Sequence, residues 1–196
     1  LKADHQSQKF RLQDKLLTKF PAEIQEQTAK IAALKSDAEI AAAHPQDKEN
    51  FCGMVIKGMT YDEKKTAGER LILACTELPN TEEQLVGSYR GFELSLRFDT
   101  FRNEHQALLK GKLKYPVSLG SDPHGNIVRL DNALSNFADR ITAAENELDT
   151  LKQQQVAAQI EVEKPFPQEE ELAQKSARLA EPVSYTHLTL PTTSRV

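Results

Sequence analysis

A run of apolar residues at alternating spacings of four and three most constrains how this chain can fold. Its members are Leu130, Leu134, Phe137, Ile141, Ala144, Leu148, Leu151, the polar Gln155, Ala158 and Val162. This spacing places every member on one side of a helix, as in a coiled coil. Pro165 and Pro167 follow, and proline cannot continue a helix. The pattern predicts one helix over residues 127–164.

A similar pattern occupies the N-terminal part of the chain. Its members are Phe20, Ile24, Gln27, Ile31, Leu34, Ala38 and Ala41. We expect a helix over residues 1–44, because His44 precedes a proline and such a residue leaves the helical conformation. Pro21 lies inside the pattern, so it either occupies the first turn of a new helix or kinks a continuous one. Gln27 and Gln155 are polar positions that can fix the register of two paired helices.

Residues 45–126, between the two patterns, have a different period. One stretch alternates apolar and polar residues, which predicts a strand with one buried face. Its apolar members are Phe92, Leu94, Leu96 and Phe98, and weaker strand signals lie at 53–58, 84–90, 105–110 and 113–119. A helix over residues 61–78 is the nearest candidate to cover such a sheet, which would have four or five strands.

The predicted fold class is therefore α+β. We expect a long antiparallel helical hairpin, a coiled-coil stalk, with a small antiparallel β-sheet plus helix module inserted at its tip. Residues 165–182 predict a short C-terminal helix. Residues 183–196 read VSYTHLTLPTTSRV, which we interpret as a non-native tail translated from a sequencing-library adapter. Because the chain begins at Leu1 inside a helical pattern, we expect a fragment of a larger protein.

Composition and motifs argue against several classes of function. The two cysteines form no CxxC pair, which favours a reducing compartment, and no apolar run reaches the roughly 20 residues that span a membrane. No nucleotide-binding loop, hydrolase elbow or metal-spaced His/Cys set is present. We therefore expect a cytoplasmic, non-enzymatic chain without a cofactor or a metal, and without membrane contact.

A local basic excess is the main candidate site. The chain has a net charge of −4, yet the stretch between residues 84 and 129 contains seven basic residues and only four acidic ones. Basic residues with interspersed aromatics on a sheet are typical of nucleic-acid contact, although solvated strand faces often look the same. The predicted contacts are Arg90, Arg97, Arg102, Lys110, Lys112, Lys114 and Arg129.

A turn-rich stretch before the second long helix is a weaker candidate. His124, Gly125 and Asn126 precede the predicted helix, with Asn126 as its N-cap. Backbone N–H groups and the helix dipole at such a position can bind an anion. The alternative is a plain connecting turn.

The chain resembles a known group of proteins at residues 88–101, 109–134 and 161–181. These stretches read SYRGFELSLRFDTF, LKGKLKYPVSLGSDPHGNIVRLDNAL and EVEKPFPQEEELAQKSARLAE. They are similar to the C-terminal region of large bacterial proteins of mobile elements that fuse an adenine-specific DNA methyltransferase to a Snf-type helicase. The resemblance covers nearly all of residues 1–182 and carries no active site with it. It implies a DNA-processing context, with DNA and the other domains of the parent protein as partners.

Two functions remain as hypotheses. The first is a non-catalytic accessory module that positions or contacts DNA. The alternative is a coiled-coil structural or protein-interaction arm without DNA contact.

Overall fold

The computed structural model describes residues 2–46, 51–164 and 174–175. It has an α+β fold built on a six-stranded antiparallel sheet. Two predicted segments, the short helix at 165–182 and the tail at 183–196, lie outside the described residues except for 174–175, which are helical.

The N-terminal part is helical throughout. Helix α1 (Lys2–Asp14) continues through a π-helical turn (Lys15–Lys19) into α2 (Phe20–Ala43). The π turn is closed by the Phe20 N–H, which donates to the Lys15 carbonyl. Pro21 lies in the first turn of α2, where a residue without an N–H is tolerated. The chain is helical on both sides of Pro21, because Lys19 and Phe20 have helical backbone angles.

The sheet contains one strand more than the sequence predicted. The strands are β1 (Met54–Ile56), β2 (Met59–Tyr61), β3 (Gln84–Tyr89), β4 (Phe92–Asp99), β5 (Glu104–Lys110) and β6 (Lys114–Ser118), in the order β2-β1-β3-β4-β5-β6. Strand β2 has three residues, too few for a period of two to stand out, and its last residue, Tyr61, was assigned to the helix predicted over 61–78. Strand β4 forms as expected, with alternate residues Phe92, Leu94 and Leu96 fully buried.

Two helices complete the core on this buried face. Helix α3 (Lys64–Thr76) contributes Ala67, Leu71 and Ala74, and α4 (Pro123–Ala133) contributes Ile127 and Leu130. The two helices cross closely at Gly68, where an added Cβ would lie 2.3 Å from the Pro123 carbonyl oxygen. Only glycine allows that approach.

The prediction of one uninterrupted helix over 127–164 is wrong. The structure has α4 and a separate α5 (Phe137–Glu163). Asn136 adopts a left-handed conformation with φ of 60°, which asparagine tolerates better than most residues. The apolar spacing does not reveal this break, because Leu134 before it and Phe137 after it are both buried.

Helix α2 packs against α5. All the residues named in the two apolar patterns are buried or half-buried. Buried Gln27 donates from Nε2 to the Ala144 carbonyl at 3.0 Å and to Glu147 Oε2 at 2.8 Å. An ion pair joins Lys35 to Glu145 at 2.8 Å.

Candidate nucleic-acid interface

Three of the predicted basic contacts share one side of the sheet. Arg97 on β4, Lys110 on β5 and Lys114 on β6 occupy register positions that alternate with the core-facing residues. Gln106 lies between them, opposite Arg97. We call this side of β4, β5 and β6 the open face.

The lysines of the open face already have acidic partners. Lys110 Nζ lies 3.6 Å from Glu93 Oε2, and Lys114 Nζ lies 2.7 Å from Glu83 Oε2. The hydrogen bond from Lys114, with the charges of Lys110 and Arg97, holds the pKa of Glu83 below its ordinary value. The Glu83 carboxylate thus occupies the position among these cations that a phosphate would need.

Arg97 belongs to a polar network at the other end of the open face. Its Nε and Nη2 donate to Gln106 Oε1 at 3.1 and 2.8 Å. Gln106 Nε2 donates to Asp99 Oδ2 at 3.1 Å, and the Ser118 hydroxyl donates to Glu104 at 2.6 Å. A backbone N–H at Asp99 and the Ser118 hydroxyl at Glu104 lower the pKa of these two carboxyl groups, so both are charged at neutral pH.

Arg102 lies in the β4–β5 turn beside this network. Asp99 Oδ1 accepts hydrogen bonds from the N–H groups of Phe101 and Arg102 at 3.0 and 3.1 Å. The turn closes at Asn103, which has a left-handed φ of 55°. Phe101, one of the aromatic residues interspersed among the basic ones, is 96% exposed.

Arg90 is not on the open face, contrary to its assignment to the same basic patch. It lies in the β3–β4 turn and caps the C-terminal end of α2, donating to the carbonyls of His44 at 3.0 Å and Ala41 at 3.4 Å. Its Nη1 lies 3.6 Å from Asp131 Oδ1 on α4. The side chain is only 11% exposed and serves the structure.

A cavity of about 670 Å³ opens beside Arg90 and Asp131. Tyr89 donates its hydroxyl to Asp131 Oδ1 at 2.6 Å. Burial raises the pKa of Asp131, and burial with the Asp131 hydrogen bond raises the pKa of Tyr89. The cavity wall therefore carries a desolvated carboxyl group, one oxygen of which already accepts from Tyr89 and lies beside Arg90.

The last two predicted basic contacts also lie apart from one another. Arg129 Nη1 lies 3.3 Å from the Ser118 carbonyl oxygen, and its guanidinium packs beside Gly120. Lys112 is exposed in the β5–β6 turn. Of the seven predicted contacts, only Arg97, Lys110 and Lys114 are thus brought together on the sheet surface, with Arg102 beside them.

The role of Asp37 on α2 is not visible in the local sequence pattern. This carboxylate is fully buried and accepts from the N–H groups of Lys112 at 2.6 Å and Leu113 at 2.9 Å. The Tyr115 hydroxyl donates to it at 2.7 Å. Asp37 therefore fixes the β5–β6 turn to α2.

The anion site predicted at His124, Gly125 and Asn126 is filled by the protein itself. Asp122, not Asn126, caps α4, and its carboxylate accepts from the N–H groups of His124 at 3.2 Å and Gly125 at 2.9 Å. Asn126 is fully buried, and its amide bonds to both the N–H and the carbonyl of Gly120. A plain capped turn, the alternative interpretation, fits this geometry.

Metal-binding clusters and membrane-spanning helices are absent from the described part of the chain. No group of three or more His, Cys, Asp or Glu residues there could hold a metal ion. None of its helices combines the length and apolar character needed to cross a membrane. Burial raises the pKa of the Cys75 thiol to about 11, which keeps it protonated and unreactive at neutral pH.

Comparison of the chain with family models, with curated proteins and with solved structures finds no match.

Proposed function

We propose that this chain is a non-catalytic accessory module in which a two-helix stalk holds a small α+β head in a fixed orientation. The stalk is α2 paired antiparallel with α5, and the head is β1–β6 with α3 and α4. The order of the contacts supports this pairing, because Leu16 and Leu17 line a cavity with Gln159 and Val162, whereas Gln27, farther along the chain, meets Ala144 and Glu147. The polar Gln27 fixes the register of the two helices.

The buried Asp37 carboxylate carries this proposal. It joins the stalk to the head by accepting two hydrogen bonds from the β5–β6 turn and one from Tyr115 on β6. A buried donor left without a partner costs about 1–3 kcal/mol. Rotation of the head relative to the stalk would break these hydrogen bonds and is therefore unfavourable. Arg90 adds a second contact, at the C-terminal end of α2, where it donates to the carbonyls of His44 and Ala41.

Electron-spin distance measurement on the full chain tests the fixed orientation. One spin label is placed on the stalk at Gln153→Cys and one on the head at Thr60→Cys, both exposed positions, after Cys52→Ser and Cys75→Ala. We expect one narrow distance distribution, which Asp37→Asn broadens. The matched control Asp149→Asn, on the exposed side of α5, leaves it unchanged.

A broad distribution with Asp37 intact would contradict the proposal, since the head would then move independently of the stalk. The helical content from circular dichroism shows whether each variant remains folded.

Contact with DNA through the open face is the second candidate function. It is supported by the common side of Arg97, Lys110 and Lys114, and by the resemblance to helicase–methyltransferase fusions, which supplies the DNA-processing context. The acidic partners Glu83 and Glu93 weaken it, because phosphate binding must compete with them. We therefore expect weak, strongly salt-dependent binding.

Fluorescence anisotropy with labelled single-stranded and duplex DNA tests this candidate. Lys110→Glu combined with Lys114→Glu should abolish binding at low salt, whereas Lys152→Glu on the exposed side of α5 should not. Failure of the unaltered chain to bind at low salt would leave the fixed arm as the function.

A further inference from the structure

A small polar niche on the open face lies at the foot of the β4–β5 turn. Its volume is about 190 Å³, and its lining residues are Arg97, Asp99, Arg102, Gln106, Pro116 and Ser118. This is smaller than the 300–1,000 Å³ typical of drug-sized ligands, and it suits a single planar ring system.

The niche offers both hydrogen-bond donors and charged acceptors. Arg102 and Arg97 provide donors, although Nε and Nη2 of Arg97 already bind Gln106 Oε1. Asp99 and the adjacent Glu104 provide carboxylates that are ionised at neutral pH and already accept from Gln106 and Ser118. Two positive and two negative groups leave no net charge, so a phosphate gains little here. A nucleobase edge presents donors and acceptors side by side, as guanine does, and arginine is the usual partner of the guanine O6 and N7 atoms.

Phe101 precedes Arg102, a lining residue of the niche, in the β4–β5 turn. Its ring is 96% exposed, in the same turn as Arg102. The two hydrogen bonds to Asp99 hold the turn in place, so the ring is presented on a preorganised loop. An aromatic ring next to an arginine is the arrangement on which unpaired bases stack.

We propose that the niche receives one unpaired nucleobase of a single-stranded nucleic acid, stacked on Phe101 and hydrogen-bonded along its edge by Arg97 and Asp99. This deepens the second candidate function and rests on it. Guanine matches the mixed donors and acceptors best, and a base held in a duplex cannot enter.

The test measures anisotropy of the full chain with three short labelled single strands at low salt. One is all thymine, one carries a central guanine, and one carries an abasic site at that position. We expect the guanine strand to bind most tightly, and Phe101→Ala to weaken it by about 5- to 100-fold. The variant should bind the abasic strand as well as the unaltered chain does, because the guanine that stacks on Phe101 is missing from that strand.

Leu85→Ala is the matched control, an exposed apolar residue of β3 opposite Ser95, outside the niche lining. It should leave all three affinities unchanged. Binding that depends on Lys110 and Lys114 but ignores both Phe101→Ala and the abasic site would overturn the niche while leaving DNA contact standing. An unaltered chain that binds no strand would overturn both, and would leave Phe101 as a candidate for protein contact.

Discussion

Charged side chains are used in opposite ways on the open face and where α2 meets the β3–β4 and β5–β6 turns, a contact region that we call the joint. At the joint, Asp37 is fully buried and bonded to backbone N–H groups and a tyrosine hydroxyl, and Arg90 is bonded to backbone carbonyls. On the open face, Lys110 and Lys114 are each about half exposed and paired with carboxylates.

Burial therefore separates the charges that hold the fold together from those that a ligand can reach. If a buried charged group is removed, its hydrogen-bond partners remain buried and unsatisfied, which costs several kcal/mol. A surface ion pair contributes about 0–1 kcal/mol, so an external ligand can replace one member. The joint should therefore control stability, and the open face should control binding.

Asp37→Ala should give the largest effect and is the most direct way to break this comparison. It leaves two backbone N–H groups and the Tyr115 hydroxyl without an acceptor. We expect the free energy of unfolding to fall by about 3–5 kcal/mol in urea denaturation. Asp149→Ala, at an exposed position, should change it by less than about 0.5 kcal/mol. Equal effects of the two substitutions would show that the joint is not a structural centre.

Arg90→Met should come second. The substitution keeps the aliphatic stem but removes the donors to the His44 and Ala41 carbonyls and the partner of Asp131. We expect a loss of about 2 kcal/mol in the same measurement. Arg102→Met in the β4–β5 turn is the matched control, since its side chain is 64% exposed, and a loss as large there would contradict the distinction.

The pH dependence of stability should have opposite signs in the joint and at the surface. Hydrogen bonds from Arg70 and Lys57 lower the pKa of Glu77 from 4.5 to about 2, whereas burial raises the pKa of Asp131 above 3.8. A carboxyl group with a lowered pKa stabilises the fold at pH values above its unfolded pKa, and this contribution is lost as pH falls. A carboxyl group with a raised pKa stabilises the fold at low pH, and that contribution is lost as pH rises.

Denaturation series from acidic to neutral pH measure both signs. The advantage of the unaltered chain over Glu77→Gln should grow as pH rises from about 2 to about 4.5. Asp131→Asn, which can still accept from Tyr89, should gain on the unaltered chain as pH rises above 3.8. The same sign for both variants would refute the assignment of Asp131 to a desolvated joint.

Glu83→Gln should have the smallest effect on stability. It tests whether the open face controls DNA binding. Removing this surface partner of Lys114 should cost about 0.5 kcal/mol. It also leaves three cations without their shared counter-charge, so single-stranded DNA should bind several-fold more tightly in anisotropy. Unchanged or weaker DNA binding would mean that Glu83 does not compete with phosphate.

Much of the fold follows from local periodicity. The two exceptions are a strand of three residues and a helix break on both sides of which the apolar pattern continues. Strand β4 and helix α3 form where alternation and apolar density predicted them. Strand β2 escaped because three residues carry too little pattern. The break at Asn136 escaped because buried residues continue on both sides of it, so the burial pattern is intact although the helix is not.

The candidate site was less predictable because its partners are remote in the chain. A local count of charges includes Lys114 but not its partner Glu83, which precedes it by 31 positions. It also cannot reveal that Asp37 accepts from Tyr115, because 78 positions separate the two residues. The excess of basic residues over 84–129 was correct as a count. Most of that excess disappears in space, because Arg90 is buried at the joint and Glu83 enters from outside the counted window.

The π turn at Lys15–Lys19 has an evolutionary consequence. Its hydrogen bond spans five residues where an α-helix spans four, so it holds one residue more than the straight helix would. Relatives lacking one residue in this stretch should have a continuous helix there. Their upstream segment would be rotated by about a quarter turn, since each residue of an α-helix turns it by roughly 100°. The face that now exposes Phe10 would point in another direction, so the length of this stretch sets which surface the N-terminal helix presents.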